Sequence, residues 1–201
     1  MAILTKKAGV AIQSQEQSIH SDLHQLFPNQ SIFLVNRIDQ PVSGLFVLAF
    51  SEEVERKLRT QWEAQQVIKN YLAICEKEIE GQGELHHRLI KAGNKAKVVL
   101  DSSGKSSTLS YQLFGKSEKY FGYLIQLKTG RFHQIRAQLA HAGASIKGDL
   151  KYGAKRSNPG GGIGLHSFQI EFKHPITSEK LKFEANPPKD NLWDFFKALL
   201  P

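Results

Sequence analysis

Two short apolar runs flank one polar loop near the start of the chain, and this arrangement constrains the fold more than any other feature. Ile32-Phe33-Leu34-Val35 leads into the loop and Leu45-Phe46-Val47-Leu48-Ala49-Phe50 leads out of it. Both are rich in β-branched and aromatic residues, and both read as buried strands. The loop between them is Asn36-Arg37-Ile38-Asp39-Gln40-Pro41-Val42-Ser43-Gly44. Pro41 has no backbone N–H, which keeps this segment out of a central sheet ladder. A carboxylate, Asp39, held between two rigid strands is placed to act as a nucleophile or base. Asp and Pro are also ordinary turn residues, so the loop alone leaves both readings open.

A chain of 201 residues is long enough for a real core, and we expect a single domain over 1–201. No apolar run approaches the roughly 18 residues of a membrane span, and the N-terminus lacks the apolar centre of a signal peptide. Cys75 is the only cysteine, so no internal disulfide can form; this fits a reducing, cytoplasmic compartment. Lys and Arg total 27 against 19 acidic residues, a net charge of +8. A surplus of that size points to a polyanion, nucleic acid before anionic membrane.

Residues 3–13 read as a strand or turn ending at Gly9. Ile19, Leu23, Leu26 and Phe27 recur at helical spacing up to Pro28. His20 and His24 lie four apart there, but with no third ligand nearby a solvated face is the expectation rather than a metal site. Ser51 reads as an N-cap, with Val54, Leu58 and Trp62 forming one apolar stripe behind it. Val67 to Cys75 alternates as a strand, with Lys69, Tyr71 and Ala73 on one face and Ile68, Leu72 and Ile74 on the other.

Leu85 to Ile90 reads as a strand, and Lys91 to Lys97 as a basic loop able to grip phosphates or simply to be solvated. The Gly104-Lys105-Ser106 fragment is not a nucleotide-binding P-loop, because the required upstream glycine is absent. Thr108 to Phe114 and Tyr120 to Leu127 read as paired strands. Arg156 to Gly162 is a candidate substrate-contacting loop. Leu165 to Phe172 and Leu181 to Phe183 read as strands, and the stretch around Leu192, Trp193, Phe196 and Leu199 as a closing helix.

The second informative stretch is Thr129-Gly130-Arg131-Phe132-His133-Gln134-Ile135-Arg136 and its continuation to Gly143. Phe132, Ile135 and Leu139 fall on one helical face, with Gly143 as C-cap. His133 and Arg136 would project together from the adjoining face, off the core. A helix start of this kind suits an anion.

Taken together, these stretches resemble the RluA-type pseudouridine synthases, which isomerise uridine in ribosomal or transfer RNA. Asn36 to Gly44 is similar to that family's His-Arg-Leu-Asp-x-x-Thr/Val-Ser-Gly motif, with Asn36 in place of the usual histidine. Lys69-Asn70-Tyr71-Leu72-Ala73 resembles its Lys-x-Tyr-x-Ala strand. Thr129 to Arg136, with Gly148-Asp149 and Tyr152-Gly153, resembles its third motif, and Leu165-His166-Ser167 and His174-Pro175 follow its downstream pattern. Lys7-Ala8-Gly9-Val10 resembles an early Lys-Pro-x-Gly-Leu element, with the family's first sheet strand expected to be short or missing. The match spans nearly the full length in the family's order. It implies an α+β fold with a largely antiparallel mixed sheet, and a catalytic core without a preceding S4 domain. A small stem-loop such as a tRNA arm is then slightly favoured as substrate.

The resemblance also implies roles. Asp39 would be the nucleophile, Arg136 the guanidinium that keeps it ionised, and Tyr71 the ring that stacks on uracil and takes a proton. Ile135 would form the apolar wall. Arg37, Arg131, His133 and Lys69 would contact the substrate RNA. The reaction needs no metal and no cofactor, nucleotide or otherwise, and a monomer suffices. Two alternatives remain beside it: a catalytically silent RNA-binding paralogue acting in RNA folding or ribosome assembly, which Asn36 supports, and a hydrolase using Asp39 with His133.

Overall fold

The computed structural model describes residues 1–13 and 18–200. Along the chain run β1 (Ala2–Lys6), α1 (Ile19–Leu26), β2 (Phe33–Leu34), β3 (Ser43–Ala49), α2 (Glu52–Glu63), β4 (Ile68–Cys75), β5 (Gln82–Ala92) and β6 (Lys95–Val99). Then follow β7 (Lys105–Lys116), β8 (Phe121–Leu127), α3 (Gln134–His141), β9 (Leu165–Lys173), β10 (Lys180–Glu184) and α4 (Asn191–Lys197). The strands form one mixed sheet in the order β1-β3-β9-β4-β8-β7-β5-β6, with β2 on β3 and β10 on β9. Among the described residues only the β3–β9 pairing is parallel; with the four helices described against this mostly antiparallel sheet, the fold is α+β, as the motifs implied.

Strand alternation sorts the core onto two faces. Phe46, Leu48, Tyr71, Ala73, Ile135 and Leu139 share one cluster, beneath α3 and the Asp39 loop. Leu45, Val47 and Leu58 pack with α2 on the other face, where Leu72 and Ile74 meet Trp193 and Phe196 of α4. The face assignment for Tyr71 and Ala73 against Leu72 and Ile74 therefore holds. Ser51 caps α2 and Asp190 caps α4 through their side chains, satisfying N–H groups that a helix start leaves open.

β1 pairs with β3 through all five of its residues and runs straight into the Lys7-Ala8-Gly9 element. Several expectations change. Lys91 to Lys97 is a hairpin rather than a loop, because Ala92 pairs with Lys95 and Lys91 with Ala96. The helix after Thr129 starts only at Gln134. Phe132 lies outside it and is exposed, so it is no part of the apolar stripe. The helix is also buried nearly all round: Gln134, Arg136 and Gln138 are as inaccessible as Ile135 and Leu139. Arg136 therefore points into the protein, not away from its core.

Candidate active site

The Asp39 loop is pinned from three sides. Lys6, at the end of β1, is buried and donates from Nζ to the backbone carbonyls of Lys7, Val10 and Gln40 at 3.0, 2.8 and 2.9 Å. Gly9 N–H donates to the same Gln40 carbonyl, and Ile163 N–H donates to that of Pro41. Burial lowers the Lys6 ammonium to about 8 against the favourable pull of Asp39. The lysine that serves this early element is thus Lys6, since Lys7 is exposed. Asn36 holds the loop from the third side, where its Oδ1 accepts from Val47 N–H at 2.7 Å and ties the loop to β3.

Gly44 closes the loop, at φ +112° in a region that side-chain-bearing residues avoid. A Cβ there would stand 2.3 Å from the Ser167 carbonyl oxygen. Only glycine lets β3 lie this close to β9. Beneath it Ser43 and His166 form a buried pair at 2.8 Å. His166 Nε2 donates to the Ala185 carbonyl at 2.9 Å, so Nδ1 accepts from Ser43. Burial pushes His166 down to about 4 and keeps it neutral.

Arg136 reaches the loop from the first turn of α3. It is 4% exposed, and Asp149 is 1% exposed. Nε and Nη2 bind the two oxygens of Asp149 at 2.7 and 2.8 Å, a fork that only a guanidinium can make. Nη1 binds Asp39 Oδ2 at 3.0 Å. Burial works to lower the Arg136 pKa, but the hydrogen bonds and charges of Asp149 and Asp39 more than offset it, so the guanidinium stays charged. Asp39 itself keeps 26% of its side chain exposed, open to a cleft.

His133 stands beside the carboxylate, with Nε2 3.5 Å from Asp39 Oδ2 and Nδ1 2.9 Å from the Tyr152 hydroxyl. That hydroxyl also accepts from Ala96 N–H at 2.7 Å. Burial, helped by the Arg136 charge, pushes His133 down to about 4 although Asp39 pulls the other way. The ring is neutral at physiological pH.

Tyr71 lies on β4 in the same cavity, and burial pushes its hydroxyl up to about 12. The hydroxyl lies against Ser167, whose buried Oγ makes no hydrogen bond of normal geometry. The cleft has a volume of about 1020 Å³, lined by Asp39, Tyr71, His133 and Arg136 within and by Arg37 and Arg131 at its rim. A recess of about 120 Å³ continues below, with Ile135 and Val42 in its wall. Gly160 and Gly161 border the cleft, which brings the 156–162 segment to its edge.

Arg37, Asp39, Lys69, Tyr71, Arg131, His133 and Arg136 therefore line one cleft, with Ile135 in the recess below it. Lys69 does so in an unexpected way: it is buried in the wall beside Tyr71, and burial lowers its pKa. The sequence reading missed Lys6, Asp149 and Tyr152 as supporting residues. Asp149 and Tyr152 stood in a noted motif without a role, and a lone lysine in a basic chain carries no signal. Among the described residues no group of three metal-binding side chains occurs. His20 and His24 touch edge to face on α1.

The fold has its likeness in two solved human proteins. RNA pseudouridylate synthase domain containing 4 superposes with a TM-score of 0.79 at 18% identity, over 98% of this chain and 88% of its own. RNA pseudouridylate synthase domain containing 1 gives 0.77 at 20% identity, over 96% and 82%. At such identities the likeness speaks for the fold alone.

The sequence goes further. Residues 1–141 match the family described as RNA pseudouridylate synthase, and the chain belongs to that family of uridine-isomerising enzymes. It is 30% identical over 184 residues to tRNA pseudouridine synthase C of Haemophilus ducreyi, covering 78% of this chain and 73% of that protein. It is 29% identical to ribosomal large subunit pseudouridine synthase D of Pseudomonas aeruginosa, over 80% of this chain and 54% of that protein. No helix among the described residues is long and apolar enough to cross a membrane.

Proposed function

We propose that this chain, one catalytic unit over residues 1–201, converts a uridine of tRNA or rRNA to pseudouridine with the Asp39 carboxylate as nucleophile. The observation that supports this most is the Arg136–Asp39 contact at the floor of the cleft. A carboxylate in a pocket closing around a base would lose solvation and gain a proton. The fixed guanidinium opposes that and keeps the oxygen nucleophilic.

The chemistry balances within the substrate. The N1–C1′ bond breaks, the base turns, and a C5–C1′ bond forms. C5 gives up a proton and N1 gains one, so no oxidant or reductant is consumed. Asp39 attacks and later leaves. Tyr71 stacks on the uracil; burial holds its hydroxyl at about 12, so it enters as a neutral phenol. It takes the C5 proton only as it hands its own to solvent water, while N1 takes its proton from water, leaving Tyr71 unchanged. Ile135 packs against the base edge. Arg37 and Arg131 meet the RNA backbone, Lys69 borders the nucleotide from the cleft wall beside Tyr71, and neutral His133 borders it from the other side. The target nucleotide must leave its stack, and attraction of the flanking RNA to the +8 protein offsets that cost. A cytoplasmic monomer fits this reading.

Asn36, the feature that favoured a silent paralogue, is accounted for by its bond to Val47 N–H. The test is tritium release from RNA labelled at uridine C5, with total tRNA and rRNA offered separately to wild type and Asp39→Asn. Release from one pool that disappears with the variant supports the reading. Binding of both pools without release would move the silent paralogue to first place.

A further inference from the structure

Phe132 is 42% exposed at the rim of the cleft, and its placement is not that of a stray surface residue. Its ring lies on that of His133, with centroids 3.9 Å apart and planes 18° apart. His133 in turn stands against Asp39. The Lys91 ammonium sits over the Phe132 ring at 5.2 Å. Arg131, its exposed chain neighbour, is aimed by a 3.1 Å bond from Nε to the Ser106 carbonyl. His133 is left-handed at φ +50° and lends no side-chain cap to α3. Such strain persists where surrounding contacts over-determine it, as at ligand clamps; here it turns Phe132 outward and His133 inward.

An aromatic face between two exposed cations fits one kind of occupant, a nucleobase with its phosphate. Every base offers a π face, and stacking on an aromatic side chain outweighs what an exposed lysine gains over the same ring. An arriving base would displace Lys91, whose flexible chain then reaches a phosphate. We propose that Phe132 is the stacking platform for a nucleotide flanking the target uridine, with Lys91 and Arg131 meeting the backbone of that nucleotide. This rests on the RNA-isomerising function proposed for the chain, and it adds a subsite outside the reacting pocket. The base would lie on Phe132 and Phe132 lies on His133, whose ring edge meets Asp39 through Nε2, so a base on the platform borders the cleft that holds the carboxylate.

The test uses an RNA that wild type binds, with 2-aminopurine placed in turn at each position flanking the target. Quenching at one position is expected with wild type and with Asp39→Asn. Phe132→Ala should abolish that quench and raise KM about tenfold, more than it lowers kcat. Phe132→Trp should restore both, whereas Phe132→Leu, which still packs on His133, should not. Isomerisation with no Phe132-dependent quench at any position overturns the platform and leaves the proposed function standing. Phe132-dependent quenching without isomerisation does the reverse. A loss in kcat alone would make Phe132 a mere support for His133 and would also overturn the platform.

Discussion

Asp149 holds Arg136 by two hydrogen bonds of 2.7 and 2.8 Å inside the protein, leaving one guanidinium nitrogen to meet Asp39 at 3.0 Å. The orientation of the arginine is thus set before any substrate arrives, by a carboxylate that never meets the cleft. Two carboxylates share one guanidinium, so the charge of Asp39 is only partly neutralised. The nucleophilic role proposed for Asp39 would need that balance, an oxygen held in place but not locked in a closed pair.

Replacing Arg136 by Ala would strand Asp149 as an unpaired buried charge, and we expect a loss of about 3–5 kcal/mol in stability. Arg136→Lys should recover part of that loss but not the activity, since an ammonium cannot make the two-point bond. Urea unfolding midpoints together with turnover check both variants. A wild-type midpoint in Arg136→Ala would contradict the buried fork.

Tyr71→Phe keeps the ring and removes the hydroxyl. Turnover should fall by roughly 10²–10⁴ while KM stays close to wild type, because stacking survives and proton transfer does not. Steady-state kinetics separate the two parameters. Unchanged kcat would reduce Tyr71 to a stacking surface.

Acid should weaken the fold through His166. Its pKa is lowered from 6.5 to about 4 by burial, so below pH 6.5 the unfolded chain takes up a proton that the native protein refuses. The contribution of this group is full above pH 6.5, falls as the pH drops towards 4, and changes no further below that. The loss is at most about 1.4 kcal/mol per pH unit. His133 adds a second group with the same sign. His166→Gln can still bridge Ser43 and Ala185, and it should flatten the dependence of Tm on pH in this window. An equal slope in the variant would exclude His166 as a source.

Gly44→Ala should be severe although it adds one methyl group. The backbone is left-handed there and the new carbon would meet the Ser167 carbonyl at 2.3 Å. Either β3 separates from β9 or the loop shifts, and Asp39 moves with it. Loss of soluble protein, or activity reduced far more than Tm, is the expected result; near-native kinetics would disprove the close approach.

The strands were legible because burial imposes a period of two on them. Phe46 and Leu48 alternate with Leu45 and Val47, and Tyr71 with Leu72, and each set went to its own side of the sheet. α2 carried its cap, Ser51, in plain view, whereas the Asp190 cap of α4 emerged only from the structure. The helix of Arg136 was read wrongly in its start, which falls after Phe132 at Gln134, and in the exposure of its polar residues. Its polar residues follow the spacing of a solvated face, yet they are buried, so the pattern matched two opposite environments.

Asp39, Tyr71 and Arg136 were visible in the amino-acid order because short motifs surround them, and the local pattern determined that a loop, a strand and a helix carry them. What the order did not contain was their partners. Asp149 on Arg136, Lys6 under Gln40, and Tyr152 behind His133 join segments far apart in the chain. A buried polar group must find a hydrogen bond wherever the fold brings one. Local periodicity records whether a residue sits against the core; only the packed sheet and loops decide which distant charge or carbonyl it will meet there.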